Sequence, residues 1–444
     1  MRRHERFTVD NSRGLSMRQC VAIGILFIVM LVTGHDLTYS AHSDEIKYMS
    51  SSQLVDLVVT GGSITRRITF VVLLIGGVLV LAGAWNDGPR SSALRNNVVL
   101  ACFVGFTFLS VSWSSDPGLT FRRACEYFIV YVGAAAAGRI LGLRGIVWLG
   151  FLGSTGYLLI GLISEMVLGT FHPFSLDYRF CGTLHPNHQA WNCGLLLISG
   201  SALLPRIRRF WRPAYFMAMT LGVVCLFLTK SRTSLLCGVL ALVYYWAGEL
   251  RPKQLLATGT LLVGSLLAAT FLPSKTVSQL DGMLLAGRDT DSYENFSGRL
   301  PLWNLAMEYV GERPLAGYGF NSFWTPDHIE DVSAEVGSAV PHSHNDYIEL
   351  MLGLGAIGLS LYLSQLCRTW WLLRRSYERT RNPFVRFYLA LLVFYLACMF
   401  TEAIAFDVGL PTFCLLSMLW SRKQFAPVPA ERMIPAPRPM QAYQ

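Results

Sequence analysis

The sequence predicts an all-α, polytopic membrane protein with about twelve transmembrane helices. Three observations carry that expectation. Of 444 residues, 52% are apolar and only 15% are charged, whereas a soluble domain carries about 25% charge. Mean hydropathy is +0.41. The apolar residues gather in runs of roughly 15–22, most of them long enough to cross a hydrocarbon core. These figures exclude disorder, a collagen-like chain and a small disulfide scaffold. In such a chain the net charge of +9 reads as a topology signal rather than a nucleic-acid surface, because basic residues accumulate in cytoplasmic loops.

Residues 1–16 form a basic cytoplasmic N-terminus (Arg2, Arg3, Arg6, Arg13) ahead of a first span with no cleavage signal. Nine spans in 17–272 are expected at 17–33, 69–85, 98–113, 124–143, 146–168, 189–204, 213–229, 233–248 and 254–272. A large outward loop, 273–345, separates spans nine and ten. Within it, Arg299–Glu312 reads as an amphipathic helix with Leu300, Trp303, Met307 and Val310 on one face, ended by Pro314. Three more spans, at 346–366, 387–405 and 408–421, complete the membrane part; the last two are close enough to form one re-entrant unit. Residues 422–444 are a Pro-rich cytoplasmic tail.

With the N-terminus inside, 25 of the 37 Lys and Arg residues face the cytoplasm, ten of them in 205–212 and 367–386. Acids sort the other way: six inside, 19 outside and three (Glu126, Glu165, Glu402) within spans. The inside therefore carries about +19 and the outside −7, as the positive-inside rule requires. The ten cysteines show no C-x-x-C spacing, and eight lie in apolar runs. They read as small buried hydrophobes.

The exceptions to the charge rule carry the chemistry. Arg122, Arg123, Arg179, Lys230 and Arg232 sit outside, tight against span ends. Snorkelling to lipid phosphates explains any one of them; several together on the unfavourable side point to an anion site, for which the arginine fork is suited. Eight of nine histidines also lie outside. His185-x-x-His188 and His342-x-His344 have metal-like spacing, but no regularly spaced acids or thiols accompany them, and acid–base work is the other common role of histidine. The span-embedded acids keep a proton-coupled transporter open as an alternative.

Several motifs resemble those of the bacterial O-antigen ligase and polysaccharide polymerase superfamily, which includes exopolysaccharide-production polymerases. His344-Asn345, followed after nine residues by Gly355-Ala356-Ile357-Gly358, is similar to the signature that closes the large periplasmic loop in O-antigen ligases. Arg179-Phe180-Cys181-Gly182-Thr183, Ser231-Arg232-Thr233-Ser234, Phe296-Ser297-Gly298-Arg299 with Trp303, and Pro314-Leu315-Ala316-Gly317-Tyr318-Gly319 fit in the same order.

The resemblance implies a C-type glycosyltransferase-like fold in the bacterial inner membrane, with its active site facing the periplasm. The implied reaction takes glycan from undecaprenyl pyrophosphate and passes it to a glycan or lipid acceptor hydroxyl. It is inverting and metal-independent, and it needs no cofactor; the sequence likewise has no Gly-rich phosphate loop. His344 is the candidate general base. Arg232 and Arg299, with Lys230 and Arg179, are the candidate pyrophosphate ligands. Asn345, His342 and Tyr318 are supporting residues, and Tyr318, Trp303 and Trp324 are candidates for stacking on sugar faces. A polysaccharide flippase and a chain-length regulator are the implied partners, alongside membrane lipids. Exopolysaccharide or O-antigen polymerisation is the first reading; attachment of O-antigen to lipid A–core is the alternative, and a flippase or solute transporter the second.

Overall fold

Apolar runs this long can satisfy their backbone within a membrane only as helices, and every regular element in the described part of the chain is helical. The computed structural model describes residues 14–47, 50, 53, 55, 64–83, 98–175, 178–247, 299–337, 339–406 and 409–418. The expected ninth span, the first part of the large loop and the Pro-rich tail lie outside the described residues.

Thirteen α-helices are described: α1 (Met17–Gly34), α2 (Tyr39–Lys47), α3 (Ile64–Gly83), α4 (Val98–Leu109), α5 (Pro117–Leu168), α6 (Pro186–Leu203), α7 (Arg212–Leu228), α8 (Arg232–Ala247), α9 (Arg299–Glu312), α10 (Pro326–Val336), α11 (Asp346–Thr380), α12 (Pro383–Cys398) and α13 (Leu410–Met418). Among the described residues five helical stretches, Met17–Ser43, Ile64–Gly83, Pro117–Leu168, Arg209–Leu228 and Asp346–Thr380, are long and apolar enough to cross a membrane. Val98–Trp113, Arg232–Ala247 and Pro383–Cys398 are shorter apolar helices. Large apolar side chains such as Ile25, Val71, Ile75, Met217 and Leu240 point outward, as a lipid-facing surface requires.

Spans four and five, expected as separate helices, are the two halves of α5. The helix breaks at Gly142 (φ 60°, ψ −175°), and the Gln19 side-chain amide of α1 donates to the Leu141 carbonyl at 2.9 Å. Each half, about 25 residues or roughly 37 Å of helix, is long enough for one crossing.

The tenth span also differs from expectation. α11 continues to Thr380, so much of 367–386 is helix rather than loop. It is broken near its start at Gly355 (φ 62°, ψ −166°), and the segment 314–319 fills the break. Ala356 and Ile357 N–H donate to the carbonyls of Pro314 (2.8 Å) and Leu315 (3.2 Å), while Tyr318 and Gly319 N–H donate to those of Leu352 (2.8 Å) and Gly353 (2.9 Å). Two of the sequence motifs are thus partners in one structural device. A Cβ at Gly355 would lie 2.2 Å from the Leu315 carbonyl carbon, so only glycine fits.

The eleventh span ends early. α12 stops at Cys398, and Glu402 lies in the loop before α13, not in a helix. Separate from the main core, α9, α10 and the segment between them build a second core from Leu302, Ala306, Val310, Phe323, Trp324, Ile329 and Val332, continued into α11 by Ile348 and Leu352. The helix at Arg299–Glu312 ends where expected, with its buried face rotated from the expected one: Val310 is buried and Trp303 packs on the core as expected, but Leu302 and Ala306 are buried while Met307 is half exposed.

Candidate active site

Five separate segments converge at one end of the bundle: the loop 178–183 with the start of α6, the 229–232 turn before α8, the start of α9, the loop before α11 and the loop after α12. Glu402 stands at the centre, only 4% exposed. Its Oε1 accepts from Arg299 Nη2 at 3.0 Å and from Asn187 Nδ2 at 2.7 Å. Its Oε2 lies 3.5 Å from His344 Nδ1. Arg299 Nη1 also donates to the Thr401 carbonyl. Burial alone would raise the Glu402 carboxyl, but the His344 imidazole and the Arg299 guanidinium outweigh it and bring its pKa down to about 2.

Arg179 joins through Asn187. Its Nη2 donates to Asn187 Oδ1 at 3.4 Å, and its Nε donates to the Thr229 carbonyl at 3.1 Å. The second bond ties Arg179 to the turn that carries Lys230 and Arg232. Lys230 occupies the left-handed region (φ 51°), and Arg232 opens α8. Arg179, Lys230, Arg232, Arg299 and His344 are all partly exposed, whereas Asn187 and Glu402 are buried behind them. Arg179, Arg299 and His344 thus form accessible cationic and imidazole groups against a buried polar floor of Asn187 and Glu402.

His344 is held in place by its neighbours. Its φ of 53° is uncommon for a side chain with a Cβ. On one side, Trp303 Nε1 donates to the Ser343 carbonyl at 2.8 Å, and Ser343 N–H donates to Glu349. On the other, Asn345 caps α11, its Oδ1 accepting from Tyr347 N (3.0 Å) and Ile348 N (3.3 Å). Asp346 Oδ2 then accepts from Ile404 N (2.9 Å) and Ala405 N (2.8 Å), which anchors the Glu402 loop to the same helix end. Asn345 is therefore a helix cap.

His342 lies beside His344, with ring centroids 4.0 Å apart. Burial and the His344 imidazole push it well below the ordinary 6.5, which favours a neutral ring at neutral pH. His185 caps α6, its Nδ1 accepting from Asn187 N at 3.3 Å, and His188 stacks on Trp191 at 4.4 Å. Among the described residues no three His, Cys, Asp or Glu side chains gather as a metal site.

Two expected sugar-stacking residues are closed off. Tyr318 is 4% exposed, with its hydroxyl donating to Glu312 Oε2 at 2.6 Å and Arg313 over its ring. Trp324 is 2% exposed and donates to Glu349. Both are core residues of the loop domain, with no face open to a sugar. Trp303 likewise positions Ser343. The residue that sequence reasoning left without a role is Glu402; a lone acid in an apolar run was the only signal for it.

Comparison with known proteins finds a similarity that covers part of this constellation. Residues 194–363 match the family model described as O-Antigen ligase, a stretch that takes in the 229–232 turn, α9 and the His344 loop. The chain is a membrane protein, and this stretch of it is similar to the O-antigen ligase family. It is 26% identical over 298 residues to the exopolysaccharide production protein ExoQ of Rhizobium meliloti, covering 63% of this chain and 66% of that protein. It is 24% identical over 344 residues to the O-antigen ligase of Pseudomonas aeruginosa, covering 74% of this chain and 79% of that one.

Proposed function

We propose that this chain is a membrane glycosyltransferase of cell-surface polysaccharide assembly. It transfers glycan from undecaprenyl pyrophosphate to an acceptor hydroxyl at the periplasmic face, extending an exopolysaccharide or O-antigen. The observation that carries this reading is the His344–Glu402 pair, with Arg299 bonded to Glu402 and Arg179 joined to it through Asn187; Lys230 and Arg232 sit on the turn that Arg179 holds. His344 Nδ1 faces Glu402, which leaves Nε2 for the acceptor. The acceptor oxygen attacks the anomeric carbon, its proton passes to His344, and the bond to pyrophosphate breaks with inversion. The Glu402 carboxylate stabilises the imidazolium that results, as a buried acid does for other catalytic histidines. The arginines and Lys230 meet the charge growing on the leaving pyrophosphate.

On this reading the chain has twelve spans in the inner membrane, with its large loop in the periplasm. A flippase supplies its donor and a chain-length regulator limits its product. The match to an O-antigen ligase keeps attachment of glycan to lipid A–core as a second reading.

Cells lacking the gene, complemented with His344→Ala, test the proposal. They should accumulate the lipid-linked repeat unit while the variant reaches the membrane at normal level. Accumulation of single repeats marks a polymerase, and accumulation of long lipid-linked chains marks a ligase. Full complementation by His344→Ala would remove the basis of the proposal.

A further inference from the structure

Glu165, in the last turn of α5, is fully buried and makes no contact with the groups assigned to the reaction. A buried carboxylate is costly unless its oxygens are met by donors. Here the donors come from one short segment. Oε1 accepts from Cys181 N–H at 3.0 Å and Gly182 N–H at 2.7 Å, and Oε2 accepts from the Tyr178 hydroxyl. Segment 178–183 is neither helix nor strand, so such anchors set its shape. Phe180 N–H adds one to the Leu228 carbonyl at 2.8 Å, and Thr183 Oγ1 adds another to His35 Nδ1 at 2.7 Å.

The side chain presented between these anchors is Arg179. Tyr178 and Cys181, both bonded to Glu165, bracket it in the chain, and its guanidinium reaches Asn187 and the Thr229 carbonyl. We infer that Glu165 is a positioning residue: it acts through the 178–183 segment to aim Arg179 at the donor pyrophosphate. The inference rests on the proposed donor role of Arg179.

The test is a double-mutant cycle on the full chain in lipid nanodiscs, read as the dissociation constant for undecaprenyl pyrophosphate. Arg179→Ala should weaken binding about tenfold, the loss of a charge-assisted contact. Glu165→Ala should weaken it to a similar degree, and the double variant should bind no more weakly than Arg179→Ala alone. Glu165→Gln should keep most of the affinity, because its amide oxygen can accept both N–H groups while its NH₂ donates to the Tyr178 oxygen. Tyr178→Phe removes one anchor and replaces Glu165→Ala in the cycle if that variant does not fold.

Losses that add in the double variant would overturn the positioning role while leaving Arg179 as a ligand. Unchanged binding by Glu165→Ala, or equal loss in Glu165→Gln, would do the same. Unchanged binding by Arg179→Ala would overturn the donor reading itself, and the role of Glu165 with it.

Discussion

His344 occupies a left-handed backbone position that a histidine tolerates only with support. That support comes from Trp303, Glu349 and Asn345, and it aims the ring at Glu402. Replacing Glu402 with Gln preserves the shape but removes the charge that stabilises an imidazolium. Turnover should fall at least about tenfold in a purified assay with lipid-linked donor. At Arg232 and Arg299, Lys should restore only part of the activity and Ala less, since an ammonium cannot donate through two parallel N–H groups; glycan product at matched membrane levels reads this out.

Titration supplies a separate prediction. The pKa of Glu402 falls from 4.5 to about 2 on folding, so its contribution to stability is complete above pH 4.5 and is lost as pH falls toward 2. His342 is also lowered, from 6.5, so stability should begin to decline as pH drops below 6.5. Thermal unfolding in detergent across this range should show both limbs, and Glu402→Gln should flatten the lower one.

At the scale of elements, the α11 start joins function to fold. Asn345→Ala removes the cap and should cost about 1 kcal/mol of stability, visible as a lower unfolding temperature. Gly355→Ala should be far more damaging, because its Cβ would meet the Leu315 backbone at 2.2 Å. Membrane abundance of the two variants checks the order.

The sequence showed these elements unevenly. Helix periodicity located the helix end at Glu312, yet Leu300–Met307 and Leu302–Ala306 both satisfy a 3.6-residue repeat. Packing against α10 and α11 chose the second stripe, in which Ala306 permits close approach. The α5 break at Gly142 falls at the boundary expected between spans four and five, whereas the glycine that breaks α11 sits in an apolar run, where hydropathy does not register a break. The histidine and the arginines were legible through recognisable motifs and their position against the topology signal. Glu402 was legible only as a span-embedded acid that could pair with an arginine; its partners were not, since Asn187, Arg299 and His344 lie 215, 103 and 58 residues away in the chain.

At the scale of the whole molecule, the account requires all these groups to face one compartment. Reporter fusions after Gly337 and Arg381 should read periplasmic and cytoplasmic respectively, because α11, long and apolar enough to cross a membrane, lies between them. The reverse result would put the histidine and arginine layer on the cytoplasmic side and detach it from a periplasmic reaction.

The central claim is that His344 moves the acceptor proton while the cations around it hold the donor. The most direct measurement sets transfer against binding in a single variant. Purified His344→Ala in nanodiscs should lose transfer by about 10²–10⁴-fold, the usual cost of removing a general base, while binding undecaprenyl pyrophosphate within a few-fold of the wild type. A His344→Ala protein that transfers glycan at the wild-type rate, or that loses binding as fully as it loses transfer, would contradict the account.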